Sequence, residues 1–322
     1  MNGITRALTI LLLSAVPAVA WNSLGHRMVA ELAWRQMDAA ERAAATELLK
    51  QHPHYESILV AQMPAGVSKD EGVFLTAAIW PDLVRPVKGE KPPKPESVTK
   101  YNVIPHGVGL PLVLAANQGK VSLDSYVIAT PNAQTGLAES IATLNNPQAS
   151  VHDRAISLCW VLHLSGDLHQ PLHAATLVSP EKPQGSGFGS PLNVPDESGK
   201  PVNYHAFWDG LLGQGGGDYA AIAAQTDVLQ KSPELAPAKF SELKSATTVP
   251  AWAAESRGVA ERFAYGAAGF PYAQGPDIVA GKIPAYASLT LKPGYLEKSR
   301  AMAHRQLALA GWRLTEVLKH VW

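Results

Sequence analysis

The chain is almost without cysteine: Cys159 is the only one in 322 residues. That excludes an intramolecular disulfide framework. Charge is scarce as well. Lys, Arg, Asp and Glu make up 17% of the chain, against about 25% in an ordinary globular protein. Basic and acidic side chains balance at 27 each, so there is no cationic footprint of the kind that clamps duplex DNA through its phosphates. Strong alternating strand patterns and internal repeats are also lacking. Apolar content is ordinary at 46%, which excludes wholesale disorder. Histidine is plentiful, with eleven residues, and the spacing of these histidines carries most of the functional information.

The N-terminus reads as a targeting segment. Arg6 is the only charged side chain before Arg27, and residues 7–20 (ALTILLLSAVPAVA) form an apolar run ending in Ala18-Val19-Ala20. A short positive region, an apolar core and an A-x-A pattern describe a secretory leader cut after Ala20. The run is too short to span a bilayer, which takes about 20 residues, and no later segment has a continuous apolar run of that length. The expectation is a secreted or periplasmic protein that begins at Trp21 and has no membrane span. Oxidising compartments favour disulfides; with none available, bound metal is the alternative staple.

The rest of the chain reads as one all-α domain, residues 21–322, with long loops. Apolar side chains recur at helical spacing over 24–50. Helices are also expected over 136–147, 151–169, 218–231, 250–265 and 294–321. Pro171 should end the helix before it, through its missing N–H and its clash with the preceding turn. Residues 86–99, rich in Pro and Lys, read as a surface loop. Residues 180–203 read as a long loop with a small hairpin around Glu197-Ser198-Gly199-Lys200.

The chemistry concentrates in His163-Leu164-Ser165-Gly166-Asp167-Leu168-His169-Gln170-Pro171-Leu172-His173. On a helix, His163 and Asp167 are i and i+4 and share a face. Imidazole and carboxylate so placed can chelate one cation, and zinc accepts both. His173 lies beyond the proline and is free to serve a different ion. His205 and Asp209 repeat the i, i+4 device. Trp21 and His26 lie five apart at the expected mature N-terminus. There the freed α-amino group, with a reference pKa near 7.7–8.0, would become a nitrogen ligand on losing its proton to a metal. Asp82 stands in Trp80-Pro81-Asp82-Leu83-Val84-Arg85.

Together these motifs resemble the zinc-dependent single-strand-specific nucleases of the S1/P1 type, all-α enzymes related to bacterial zinc phospholipase C. The resemblance extends to Asn203-Tyr204-His205 running into Trp208-Asp209, to Trp252-x-x-Glu255-Ser256, and to the C-terminal run from Tyr295 through Gln306 to Leu314. It implies a mainly helical phosphoesterase holding three zinc ions. One would sit on Asp82, His106, His163 and Asp167. Its close partner would sit on the Trp21 amine and carbonyl, His26 and Asp167, with Asp167 bridging. The third would sit on His173, His205 and Asp209. Asp82 and Arg85 would be catalytic. Substrates would be single-stranded RNA or DNA and 3′-nucleotides, without stable binding of duplex DNA. His152 and His169 receive no ligand role and read as supporting or structural residues.

The sequence departs from the family in places. His106-Gly107-Val108-Gly109-Leu110-Pro111 is the best match to the segment supplying the His after Asp82; another register puts Lys100 or Tyr101 there and loses the ligand. Gly107 and Gly109 replace an aromatic and a polar residue that the family sets against a nucleobase. Gly187-Phe188-Gly189-Ser190 replaces a Gly-Gly-Asn loop, and Phe188 could offer another platform or simply pack. Arg85, Asn203 and Phe188 are the candidate substrate contacts. A zinc phospholipase C, which usually carries Glu where Asp209 stands, and a non-catalytic metal binder are the alternatives.

Overall fold

The structure is a computed structural model and describes residues 21–322 apart from 88, 114–116, 181, 190–191, 197, 214 and 267–289. The leader and its cleavage point at Ala20 lie outside the described residues. The fold is all-α, as expected, with two small sheets. Among the described residues no helix is long and apolar enough to cross a membrane.

The helical stretch expected over 24–50 is two helices, α1 (Ser23–Gln36) and α2 (Ala39–Leu49). The break is local chemistry. Met37 is extended, and Asp38 caps α2 in a reciprocal box with Glu41, which satisfies two helix-end donors at once. Next come α3 (Lys69–Ala77), which the sequence reading did not assign, and the short α4 (Trp80–Leu83) with Pro81 in its first turn. The Pro/Lys-rich loop ends in a single turn, α5 (Glu96–Thr99).

Helix α6 (Ala133–Leu144) leads into α7 (Val151–Asp167), the central element. From Leu158 to Asp167 every residue of α7 is buried, because α1, α2, α6 and the C-terminal helix surround it. A helix apolar on most sides is stable only in such a position. The α-helix ends at Asp167, and Pro171 opens a new turn, α8 (Pro171–Ala174), rather than merely stopping the old one. Proline suits a first helical turn, where its missing N–H has no partner to lose.

Strand β1 (Leu110–Leu112) pairs in parallel with β2 (Ala175–Leu177). The expected hairpin is present as β3 (Asn193–Pro195) and β4 (Pro201–Asn203), paired antiparallel. Its turn is fixed by Asp196, whose Oδ1 accepts from Ser198 N and Lys200 N, both at 2.9 Å. Then follow α9 (Tyr204–Asp209), α10 (Tyr219–Lys231), α11 (Glu242–Ser245), α12 (Val249–Val259) and α13 (Tyr295–Leu318). Helix α12 runs on into a π-helical turn, Ala260–Ala264. One apolar core links Trp21 at the start to Leu318 near the end.

Candidate metal centre

Six pieces of chain converge beside the C-terminal end of α7. Helix α7 supplies His163 and Asp167, one turn apart, both fully buried. From α1 comes His26, whose ring stacks on His163 with centroids 3.8 Å apart. From α4 comes Asp82. The segment before β1 supplies His106, and α8 and α9 supply His173, His205 and Asp209.

Their donor atoms fall into three groups: His26, His163 and Asp167; Asp82, His106 and His163; and His173, His205 and Asp209. Within each group the donor atoms lie within 4.8 Å of one another. Asp167 Oδ1 is 3.4 Å from His26 Nε2, while its Oδ2 is 3.2 Å from His163 Nε2 and 3.3 Å from His106 Nδ1. One carboxylate thus faces both of the first two groups. His106 Nδ1 is also 3.6 Å from Asp82 Oδ1. His106 therefore stands beside Asp82 and His163.

Backbone carbonyls aim the imidazoles. Nδ1 donates to Ala78 O at 2.8 Å in His163, to His106 O at 2.7 Å in His173, and to Phe188 O at 2.8 Å in His205. A carbonyl can only accept, so each Nδ1 carries the proton and each Nε2 turns a lone pair inward. In the third group two such nitrogens, on His173 and His205, are 2.8 Å apart. Two lone pairs cannot face each other there without a proton or a cation between them. Buried Asp82 Oδ2, both oxygens of Asp167, Asp209 Oδ2, His106 Nε2 and both ring nitrogens of His26 have no hydrogen-bond partner. Nitrogen and carboxylate donors left unsatisfied around shared points are the donor set that zinc takes.

The electrostatics agree. Burial works against charge on Asp167, yet His163 and His106 hold its carboxyl well below the usual range. Burial likewise opposes a charge on His163, but Asp167 and Asp82 raise its pKa above the ordinary histidine value. In the third group burial pushes Asp209 well above the carboxylate range, with Asp167 and Asp82 adding to it. Burial, then His173, brings His205 down to about 3. A cation bound at these groups would compete with protons for them.

Several residues support the centre, and of these only His169 was expected to do so. Gln170, fully buried, donates from Nε2 to Asp209 Oδ1 at 2.7 Å and accepts from Leu172 N at 2.5 Å. Its position between His169 and His173, inside the histidine-rich run, was the available signal. Gly166 leaves space for His26, since a Cβ there would lie 2.9 Å from its Nδ1. The edge of Trp160 stands against His106 and His163. His169 holds Ser165 O through Nδ1 at 2.7 Å and accepts from Arg313 at 2.9 Å. Its carbonyl receives Gln306 Nε2 at 3.0 Å. Helix α13 thereby pins the turn that bears Asp167.

The other candidates are placed as follows. The Trp21 indole donates to Gly166 O at 3.0 Å, and Asn22 N donates to Asp209 O at 3.2 Å. These bonds tie the start of the described chain to both sides of the centre. Arg85 Nη1 is 3.3 Å from Asp82 Oδ1. Asn203 Oδ1 accepts from Ala206 N at 3.1 Å and caps α9, a positioning contact for His205; Asn203 is not among the residues lining the cleft described next. A cleft of about 390 Å³ opens over the centre, lined by Arg85, His106, Gly107, His173, Phe188 and His205 among others. Phe188 is half-buried with φ 59°, a left-handed conformation costing an L-residue about 1–2 kcal/mol.

A search among curated proteins finds no match. The sequence profile of the family described as S1/P1 Nuclease matches residues 21–322.

Proposed function

The chain belongs to the S1/P1 nuclease family and is accordingly a hydrolase of phosphodiester bonds; from that premise we propose an exported, zinc-dependent enzyme that cleaves single-stranded RNA and DNA and removes phosphate from 3′-nucleotides. We take residues 21–322 as its one domain and Trp21 as its mature N-terminus. The observation that carries the reading is the convergence of three donor groups that leave buried atoms of His26, Asp82, His106, Asp167 and Asp209 without a hydrogen-bond partner.

Three zinc ions would be held by Asp82, His106, His163 and Asp167; by the Trp21 amine and carbonyl, His26 and Asp167; and by His173, His205 and Asp209. When bound they supply Lewis acidity, which lowers the pKa of water and neutralises charge on phosphate oxygens. The protein's own groups do the rest. Asp82, beside His106 in the first cluster, orients the attacking water and accepts its proton. Arg85 lines the cleft and donates to the phosphate oxygens as negative charge grows on them. Gln170 keeps Asp209 Oδ1 engaged, so that Oδ2 is the oxygen left to act. The cleft accommodates a group of ordinary ligand size. A flexible strand can insert one nucleotide there, whereas a duplex must first unstack it. Binding through a few fixed groups also suits a chain without net positive charge.

The test is a parallel assay. Zinc-loaded protein is offered single-stranded RNA, a 3′-nucleotide and phosphatidylcholine. Hydrolysis of the first two is expected. Lipid turnover without nucleotide turnover would overturn the reading in favour of a phospholipase.

A further inference from the structure

Asp82 and His106 share a donor group with His163, yet neither stands on a long element. Asp82 lies in α4, which is four residues long, and His106 lies in the irregular stretch between α5 and β1. A single helical turn has little stability of its own. Contacts from outside must therefore hold the two ligands at their separation, 3.6 Å from His106 Nδ1 to Asp82 Oδ1. The bond from His163 Nδ1 to Ala78 O is one anchor. A second lies behind the group. Trp80, fully buried two residues before Asp82, donates its indole N–H to His54 Nδ1 at 3.1 Å.

His54 also meets the other half of the group. The edge of its ring faces Tyr101, with centroids 5.2 Å apart at 89°, and Tyr101 in turn lies 5.7 Å from the Trp80 ring. From Tyr101 the chain runs along the cleft wall through Asn102, Val103, Ile104 and Pro105 to His106. His54 is itself fixed. Its N–H donates to His52 Nδ1 at 3.0 Å, and its carbonyl accepts from Ile58 N and Leu59 N as a π-helical turn, Tyr55–Val60, begins. Burial keeps the ring neutral, with Lys100 adding to it and a hydrogen bond to the Ser97 backbone opposing it. A neutral ring has a lone pair to offer at Nδ1. Packing alone does not call for a histidine here. Trp21, Trp252 and Trp312 give their indole N–H to backbone carbonyls, whereas Trp80 gives its own to a side chain that also touches the segment leading to His106.

We propose that His54 is a positioning residue for the metal centre: by holding Trp80 on one side and Tyr101 on the other, it sets Asp82 against His106. This rests on the metal reading above and deepens it. His54 neither belongs to a donor group nor lines the cleft, so it acts through its neighbours. Without an acceptor at this point the buried indole N–H is left unpaired, which is costly, and the turn bearing Asp82 shifts to satisfy it.

The test compares mature wild type, H54F and H54N by zinc titration against a competing chelator and by kinetics on adenosine 3′-phosphate. Phenylalanine keeps an aromatic ring against Tyr101 but accepts nothing; asparagine places Oδ1 where Nδ1 stands and still accepts. H54F should weaken the ion on Asp82, His106 and His163 by about 10–100-fold. The ion that is absent from H205A should keep its wild-type affinity. In the loaded enzyme kcat should fall by about 10-fold with KM little changed, and H54N should restore both affinity and kcat. Wild-type affinity for every ion in H54F, equal weakening of all three, a loss confined to KM, or an H54N as impaired as H54F would each overturn the role of the indole bond. Wild type that holds no zinc would sink the metal reading and the proposal with it. Wild type that holds zinc but leaves the nucleotide intact would sink the nuclease reading alone, and the zinc titration would still decide on His54.

Discussion

Replacing Gly166 with Ala tests whether the packing beside the centre serves metal binding or only stability. Gly166 directly precedes Asp167 near the end of α7. A Cβ there would lie 2.9 Å from His26 Nδ1 and 3.2 Å from its Cε1, too close for real contacts. The His26 ring has no easy retreat. It is fully buried and stacked on His163 with an interplanar angle of 16°. Overpacking of this sort costs about 1–3 kcal/mol. Alanine in place of glycine in a helix returns about 1 kcal/mol. The net loss in stability should be about 0–2 kcal/mol, which the fold tolerates.

Metal binding should suffer more. Moving the His26 ring by a few tenths of an ångström takes Nε2 away from Asp167 Oδ1, now 3.4 Å distant. Disturbing the packing that orients a ligand weakens affinity by about 10–100-fold, equivalent to roughly 1.4–2.8 kcal/mol. The assay has two arms: zinc titration against a competing chelator, and urea unfolding of the zinc-stripped protein. The expected result is a large drop in affinity for the ion pair beside a small change in unfolding. Wild-type zinc affinity in G166A would refute the reasoning, because His26 would then not be a ligand held by that contact.

Four further outcomes are expected. Asp167→Ala should release two ions, counted by elemental analysis, because one carboxylate faces both groups; the loss of only one would contradict a bridge. Gln170→Ala removes the 2.7 Å bond to Asp209 Oδ1 and should weaken the third ion by about 10–100-fold while the other two stay; equal loss at all three sites would argue for general misfolding. Mature protein with one extra residue before Trp21 should bind less zinc and lose activity, and full activity would remove the Trp21 amine from the ligand set. Burial holds His52 at about 3, so below the unfolded value near 6.5 only the unfolded chain takes up that proton. This contribution to stability is complete above about pH 6.5 and falls as pH drops, by about 1.4 kcal/mol per unit. His52→Gln should flatten the acid side of the zinc-stripped stability profile by that slope, and an unchanged slope would rule the effect out.

The i, i+4 pairs were legible because a helix converts sequence spacing directly into proximity. His163 with Asp167 and His205 with Asp209 needed nothing else. The hairpin at 193–203 was legible from its turn residues. The break at Asp38 carried its own signal, Asp-x-x-Glu, masked by the continuous apolar periodicity around it. Less legible was how His106 comes to the centre. That depends on a three-residue parallel pair, Leu110 to Leu112 with Ala175 to Leu177, extended by Val108 N donating to His173 O at 2.8 Å. Pairing so short leaves no periodic trace, and parallel partners lie far apart in sequence. Backbone carbonyls were invisible for a simpler reason: Ala78, His106 and Phe188 aim three imidazoles with an atom that every residue has.

The unsatisfied atoms of the metal centre tie it to folding. The groups that support the centre are completed: both ring nitrogens of His169 are engaged, as are both ends of the Gln170 amide. At the centre the chain leaves buried atoms of His26, Asp82, His106, Asp167 and Asp209 without partners. Each such group costs about 1–3 kcal/mol, so five of them rival the whole stability of a typical domain, about 5–15 kcal/mol. A fold can carry that burden only if something binds the folded chain and not the unfolded one. At a free ion concentration of 100 times Kd, one site returns about 2.7 kcal/mol, comparable with the roughly 2–4 kcal/mol of a disulfide. The donors come from α1, α4, α7, α8 and α9 and from the segment before β1, spanning the chain from residue 26 to residue 209. Cross-links over that distance are what cysteine pairs would otherwise provide, so the shortage of cysteine and the surplus of histidine follow from one physical requirement.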